Sequence, residues 1–198
     1  KRIMAHAEKS AAYMADGYAR VAKKAGICGA QSVGGINLAA GLQDAYLACS
    51  PTIALTGRLP QIQQNRNAYQ EVDHINPFSA VTKFNTFVTT AEELPLALRQ
   101  AFRESTSGTP GPSHIDLQGI TGEIITEIGD FEIIAEKQYI NLPPFRPEPE
   151  LSAIIETIKL LSEAKKPVII AGGGTNLSGA RNELIILAEK LQIPVATS

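Results

Sequence analysis

Residues Glu8-Lys9-Ser10-Ala11-Ala12-Tyr13-Met14-Ala15-Asp16-Gly17-Tyr18-Ala19-Arg20-Val21-Ala22-Lys23-Lys24-Ala25-Gly26-Ile27-Cys28-Gly29-Ala30 decide the fold class. Apolar positions recur at Ala11, Ala12, Ala15, Tyr18, Ala19 and Ala22, a spacing that predicts a helix over 8–24. Its inner face is mostly alanine, so its backbone can approach whatever it covers. Gly26 to Ala30 then reads as a short strand, and the alternation continues outward from there. Upstream, Arg2-Ile3-Met4-Ala5 reads as a strand already under way. Downstream, 34–48 reads as a helix (Leu38, Leu42, Ala45, Tyr46) and 51–55 as a strand. After a long polar loop comes the strand 84–88. Thr90 followed by Glu93 forms a capping box that opens a helix with the stripe Leu94, Leu98, Ala101 and Phe102. The turn Gly108-Thr109-Pro110-Gly111-Pro112 introduces a last strand at 113–117. Helices alternating with strands predict an α/β fold, a parallel sheet flanked by helices.

The character changes between Gln118 and Pro149. Pro143, Pro144, Pro147 and Pro149 favour an extended, semi-rigid connection. Beyond it the rhythm restarts: Leu151, Ile154, Ile155, Ile158 and Leu161 mark a helix, and 167–171 a strand. Gly172-Gly173-Gly174 reads as a turn, Ala180, Leu184, Leu187, Ala188 and Leu191 as a helix, and 194–197 as a strand. A boundary near residue 145 separates a domain at 1–145 from the beginning of a second, Rossmann-like α/β domain at 146–198. Lys1 is not an initiator Met, and the last strand has no helix to cross back over it. The chain is therefore expected to be a piece of a longer protein, cut at both ends.

With 44% hydrophobic and 19% charged residues in 198, the sequence can bury a real core. The net charge is −2, and no basic run exceeds Lys23-Lys24 and Lys165-Lys166. A nucleic-acid surface needs clustered cations to displace phosphate counterions, so no nucleic-acid partner is expected. No apolar stretch approaches the length of a membrane span and no signal-peptide pattern is visible. Cys28 and Cys49 lack partner spacing, which fits buried thiols in a reducing compartment, the cytoplasm.

Phosphate-loop, nucleophile-elbow and His-x-x-x-His signatures are absent from the sequence. His6-Ala7-Glu8 has the spacing of a zinc-deaminase half-motif, but no Pro-Cys-x-x-Cys follows it. His74 and His114 have no partners close in sequence and read as surface or packing residues. Gly172-Gly173-Gly174 after a strand could admit a dinucleotide or serve as a plain tight turn. A nicotinamide oxidoreductase would need an acidic residue about 20 positions on, and Glu189, near that distance, falls inside a predicted helix. Glu8 stands where a strand gives way to a helix, the place where open α/β sheets bind ligands. A glutamate in a first helical turn is also commonly just a complement to the helix dipole.

The surroundings of Glu8 add to this. His6 to Arg20 resembles the Glu-x-x-Ala-Ala-x-x-Ala-x-Gly-Tyr-Ala-Arg segment of thiamine-diphosphate enzymes, in particular the acetolactate synthase large-subunit family. Asn67-Ala68-Tyr69-Gln70-Glu71-Val72-Asp73 is similar to that family's Ala-Phe-Gln-Glu-x-Asp. Val81-Thr82-Lys83 with Glu92-Glu93-Leu94-Pro95 is similar to its Thr-Lys and Glu-Glu-Leu-Pro pair. Thr106-Ser107-Gly108-Thr109-Pro110-Gly111-Pro112 is similar to its Ser-Gly-x-Pro-Gly-Pro turn. The sequence departs from the pattern at Ser32-Val33-Gly34-Gly35-Ile36-Asn37, where the family usually has Gly-Pro-Gly-x-x-Asn. It departs also at Tyr69 (usually Phe), at Gln118 (usually Pro) and in the extra Ala7.

The resemblance implies that 1–145 is a pyrimidine-binding domain and that 146–198 begins the middle domain of such an enzyme. It implies thiamine diphosphate as cofactor, with Mg²⁺ held by a diphosphate-binding domain outside this stretch, and FAD as a further cofactor against Gly172, Gly173 and Gly174. Glu8 would be the catalytic carboxylate that protonates the pyrimidine N1′, a role for which a dry pocket and raised pKa suit it. Val33, Gly34, Asn37 and Gln70 would line the cofactor pocket, and Tyr69 and Lys83 the substrate entrance. The implied reaction is decarboxylation of a 2-keto acid and transfer of the acyl unit to a second keto acid. A 2-keto-acid decarboxylase or related acyltransferase is the near alternative, and a non-catalytic binding or assembly domain the distant one. The implied partners are a keto-acid substrate and further copies of the chain in a homodimer or homotetramer.

Overall fold

A computed structural model describes residues 2–119 and 130–198. The chain divides into two compact units, Lys1–Pro144 and Phe145–Ser198.

In the first unit the helix α1 (Glu8–Ala22) leads to β1 (Gly26–Gln31), α2 (Val33–Leu47) and β2 (Thr52–Arg58). A long loop and the short helix α3 (Ile75–Ser79) precede β3 (Phe84–Val88), and α4 (Leu94–Thr106) precedes β4 (Ser113–Gln118). The strands form one all-parallel sheet in the order β1-β2-β4-β3, as the alternating pattern predicts. Each helix runs back along the sheet, so the N-termini of α1 and α2 lie at the carboxyl edge of the strands.

Both faces of the sheet are covered. On one, Ala12 and Ala15 of α1, Leu38, Ala39 and Leu42 of α2, and Phe78 of α3 pack on Cys28 and Ala54. On the other, Ala97 and Ala101 of α4 pack on Ile53, Val88, Ile115 and Leu117. Fully buried side chains such as Leu38, Leu42 and Phe78 each contribute about 1.5–3 kcal/mol by leaving water. The alanine face of α1 does what its composition predicts: it lets α1 lie so close to α2 that a Cβ on Gly41 would come 2.6 Å from the Lys9 carbonyl.

Several local expectations need correction. Residues 2–5 form no strand; Ile3 and Met4 are exposed, so no burial holds them extended. The first helix stops at Ala22, because Lys23 turns into the left-handed region with φ 52°. The capping box of Thr90 and Glu93 is present, but it opens a 3-10 turn, Ala91–Glu93, before α4 begins. The proline-rich connection is not a free spacer throughout. Within the first unit Glu136 pairs with Arg99 and Arg103 of α4, and Leu142 is buried with its N–H on the Lys23 carbonyl. The part of that connection at 120–129 lies outside the described residues.

The second unit holds α5 (Leu151–Glu163), β5 (Ile169–Ala171), α6 (Gly173–Ser178), α7 (Arg181–Leu191) and β6 (Val195–Thr197). β5 and β6 pair in parallel. Gly172-Gly173-Gly174 is more than a turn: Gly172 is the N-cap of α6. Among the described residues no helix is long and apolar enough to cross a membrane.

Candidate functional site

Glu8 is the first residue of α1, half-buried at the carboxyl edge of the sheet. Its carboxylate lies over Gly34 in the first turn of α2, where an added Cβ would come 2.8 Å from Oε1. Asn37, one turn along α2, donates from Nδ2 to Glu8 Oε2 at 3.3 Å. Three of the residues singled out in the sequence, Glu8, Gly34 and Asn37, therefore meet. Val33 stands beside them with its side chain half exposed. The result is a half-buried carboxylate seated on a glycine in the first turn of α2 and bonded to an exposed amide. A basic heteroaromatic nitrogen suits this carboxylate, because Glu8 can share a proton with it.

Tyr69 and Gln70 lie in the loop after β2, also at the carboxyl edge. Tyr69 is 86% exposed, and Gln70 adopts φ 63°. Glu71 shapes this loop by accepting backbone N–H bonds from Asn65, Arg66 and Ala68, and these hold its carboxyl below the usual range. Lys83 does not join the site. It precedes β3, at the opposite, amino edge of the sheet, and its ammonium donates to the carbonyls of Glu104 (2.6 Å) and Ser107 (2.8 Å). In this unit it fastens the end of α4, and its stem packs so tightly on Gly111 that a Cβ there would come 2.8 Å from Lys83 Cδ. Gly172, Gly173 and Gly174 belong to the second unit; an added Cβ at Gly173 or Gly174 would meet nothing within 4 Å.

Behind the first turn of α2 lies a network that the sequence does not advertise. His74 and His114 are fully buried, packed inside rather than at the surface, and hydrogen-bonded to residues distant in sequence. The ring of His74 spans from Asp116 Oδ1 (Nδ1, 2.9 Å) to the Ser32 carbonyl (Nε2, 2.7 Å). Both partners are acceptors, so both ring nitrogens carry protons. Burial opposes that charge, but the Asp116 carboxylate outweighs it and raises the His74 pKa. Asp116 also accepts from Arg58 Nε (2.6 Å) and from the Thr56 hydroxyl (2.7 Å). Burial acts to raise its pKa, but these bonds and His74 hold the carboxyl below the usual range. Thr56 and Asp116 are register partners across β2 and β4, which is why they meet. His114 lies between Thr56 Oγ1 and Asn85 Oδ1, 2.7 Å from each, and burial drives its pKa down to about 3.

An apolar cavity lined by Leu94, Leu98, Phe102 and Tyr139 lies on the α4 side of the sheet, away from Glu8. Among the described residues no group of three or more His, Cys, Asp or Glu side chains converges to hold a metal ion.

Residues 1–76 match the family described as thiamine pyrophosphate enzyme, N-terminal TPP binding domain, and residues 154–198 the thiamine pyrophosphate enzyme central domain. Over 203 residues the chain is 40% identical to a probable acetolactate synthase large subunit of Methanocaldococcus jannaschii, covering 99% of this chain and 33% of that protein. It is 33% identical to the acetolactate synthase large subunit of Lactococcus lactis, covering all of this chain and 34% of the relative. It is 34% identical to the chloroplastic acetolactate synthase of Arabidopsis thaliana, covering all of this chain and 29% of the relative. The chain thus spans about a third of the length of the curated relatives it matches. The carboxylate seated on the first turn of α2 lies within the matched N-terminal domain, and the chain belongs to the thiamine pyrophosphate enzyme family.

Proposed function

We propose that this chain supplies the pyrimidine half of a thiamine-diphosphate site in an enzyme that decarboxylates a 2-keto acid and transfers the acyl unit to a second keto acid. The observation that carries the reading is the Glu8 carboxylate held over Gly34 by Asn37. The names of the relatives, acetolactate synthases, favour the transfer reaction over simple decarboxylation.

Thiamine diphosphate, when bound, supplies the thiazolium carbon that attacks the keto acid and accepts the electrons released with CO₂. The chain's own residues orient and protonate. Glu8 holds a proton at the pyrimidine N1′, Gly34 lets the carboxylate seat against α2, and Asn37 fixes it. Val33 and Gln70 border the ring, and the exposed Tyr69 faces the substrate side. In this reading Mg²⁺ is held by the rest of the enzyme, and FAD lies against the Gly172 segment. A second subunit covers the exposed side of Glu8, which excludes water and strengthens its interaction. Cys28 is a buried thiol whose pKa burial raises to about 12. It stays inert in the reducing cytoplasm to which we assign the protein.

The test uses the full-length protein with thiamine diphosphate and Mg²⁺. Glu8→Gln should slow exchange of the thiazolium C2 proton, followed by NMR, by about 10²–10⁴-fold. Cofactor affinity should change little. Wild-type exchange in that variant would remove Glu8 from the chemistry.

A further inference from the structure

Gly34 and Gly35 are adjacent, and each lacks a side chain for a different neighbour. Glu8 occupies the Cβ space of Gly34, and the His74 ring occupies that of Gly35, with Nε2 2.6 Å from where the Cβ would stand. The first turn of α2 is therefore gripped between the carboxylate on one side and the imidazole on the other. The grip is bonded as well as steric. His74 Nε2 donates to the Ser32 carbonyl at 2.7 Å, and Gly35 N–H donates to the same carbonyl at 2.9 Å. Ser32 is the N-cap of α2 and sits at φ 46°, ψ −128°, a conformation costly for a residue with a side chain. Its own hydroxyl is buried and makes no hydrogen bond, so the backbone contacts must hold it. Its N–H is fixed to the Gly57 carbonyl at the end of β2. His74 is in turn anchored by Asp116, which Arg58 and Thr56 hold within the sheet. An unbroken chain of hydrogen bonds thus runs from the central strands β2 and β4 to the carbonyl that starts α2.

We propose that His74 is a positioning residue for the Glu8 site: by clamping the Ser32 carbonyl and the face of Gly35 it fixes how far the first turn of α2 stands from Glu8. It sets the place of Gly34 and Asn37 against the carboxylate without touching the cofactor itself. The proposal rests on the reading of Glu8 given above.

Two substitutions separate the halves of the clamp. Gln at position 74 can place an amide nitrogen near the site of Nε2 and keep the Ser32 bond. Asn can keep only the bond to Asp116. In the full-length protein without cofactor, His74→Asn should raise backbone deuterium uptake over 33–37, measured by mass spectrometry, and His74→Gln should not. With thiamine diphosphate and Mg²⁺, His74→Asn should slow C2-proton exchange roughly 10–100-fold at saturating cofactor, and His74→Gln should restore most of the wild-type rate. If His74→Asn does not fold, Gly35→Ala carries the test: its methyl would displace the turn from His74 and should reproduce both effects. Equal uptake and equal exchange in His74→Asn, His74→Gln and the wild type would overturn the proposal, as would Gly35→Ala behaving as wild type. Glu8→Gln, run alongside, must slow exchange; if it does not, the cofactor reading itself falls and takes the role of His74 with it.

Discussion

Lys83 sits in a sequence context that points to a substrate entrance, yet its ammonium is spent on two backbone carbonyls at the end of α4. Those partners lie 21 and 24 residues away, beyond what spacing can disclose. The bonds satisfy carbonyls that a helix end leaves free. Lys83→Met should therefore lower stability in chemical denaturation by about 1–3 kcal/mol and leave cofactor affinity in the full-length protein unchanged. The two buried histidines were equally hidden, their partners being up to 58 residues distant. They also bias the fold in opposite directions with pH. His114 has a folded pKa pushed from 6.5 down to about 3, so the unfolded chain binds the extra proton between those values and stability falls as pH falls through that window. His74 has a raised pKa, so its contribution is full below 6.5 and is lost as pH rises through the folded value. Removing His114 as His114→Leu should lower stability at pH 7 but flatten its decline between pH 6.5 and 4, by up to about 1.4 kcal/mol per pH unit. Urea titrations across that range would show it, and an unchanged slope would contradict the assignment. Glu8 was legible because the helix start and the surrounding residues are local signals, although the strand expected before it is absent; its partner Asn37 followed from the resemblance.

Elements were easier to read than their neighbours. The helices α1, α2 and α4 and the strands β1 to β4 emerge at nearly the expected bounds, because apolar periodicity and the Thr90 capping box are local signals. The segment after β4 was not legible. Its prolines suggested a spacer, whereas Glu136 reaches Arg99 and Arg103 and lines it against α4. The Arg103 and then the Arg99 guanidinium draw the Glu136 carboxyl down to about 2. Being depressed, it contributes above about pH 4.5 and is lost as pH falls toward 2. Glu136→Gln should leave the sheet intact and speed limited proteolysis within 130–142 at pH 7; equal cleavage rates would show that the ion pairs do not hold the segment. The glycine triplet was read as a turn and instead opens α6 through Gly172 as N-cap. If that segment faces a flavin, the full-length protein should purify yellow, and a colourless preparation that takes up no FAD would refute it.

At the scale of the whole molecule, α1 turns its alanines inward and presents Tyr13, Met14, Tyr18 and Val21 outward, all substantially exposed. The alanines Ala12, Ala15 and Ala19 face the interior, and the outer apolar face is made of these larger residues. If that face meets a second subunit beside Glu8, Tyr18→Glu with Val21→Glu should shift the full-length protein toward monomers in sedimentation and weaken cofactor binding. A stable assembly in that variant would place the interface elsewhere. The sheet order carries one more consequence. Among the described residues β3 pairs only with β4, and β4 is inserted between β2 and β3, although it follows both in the sequence. Until Ser113–Gln118 has left the ribosome, β3 lacks its β4 partner, His114 and Asp116 are missing from the interior, and His74 lacks its Asp116 anchor. The half of the site that the ribosome makes first, Glu8 and Asn37, is thus completed by a strand made much later. Such closure across distant parts of the chain is slow, and a nascent chain stalled before residue 113 should remain protease-sensitive and bound to chaperones.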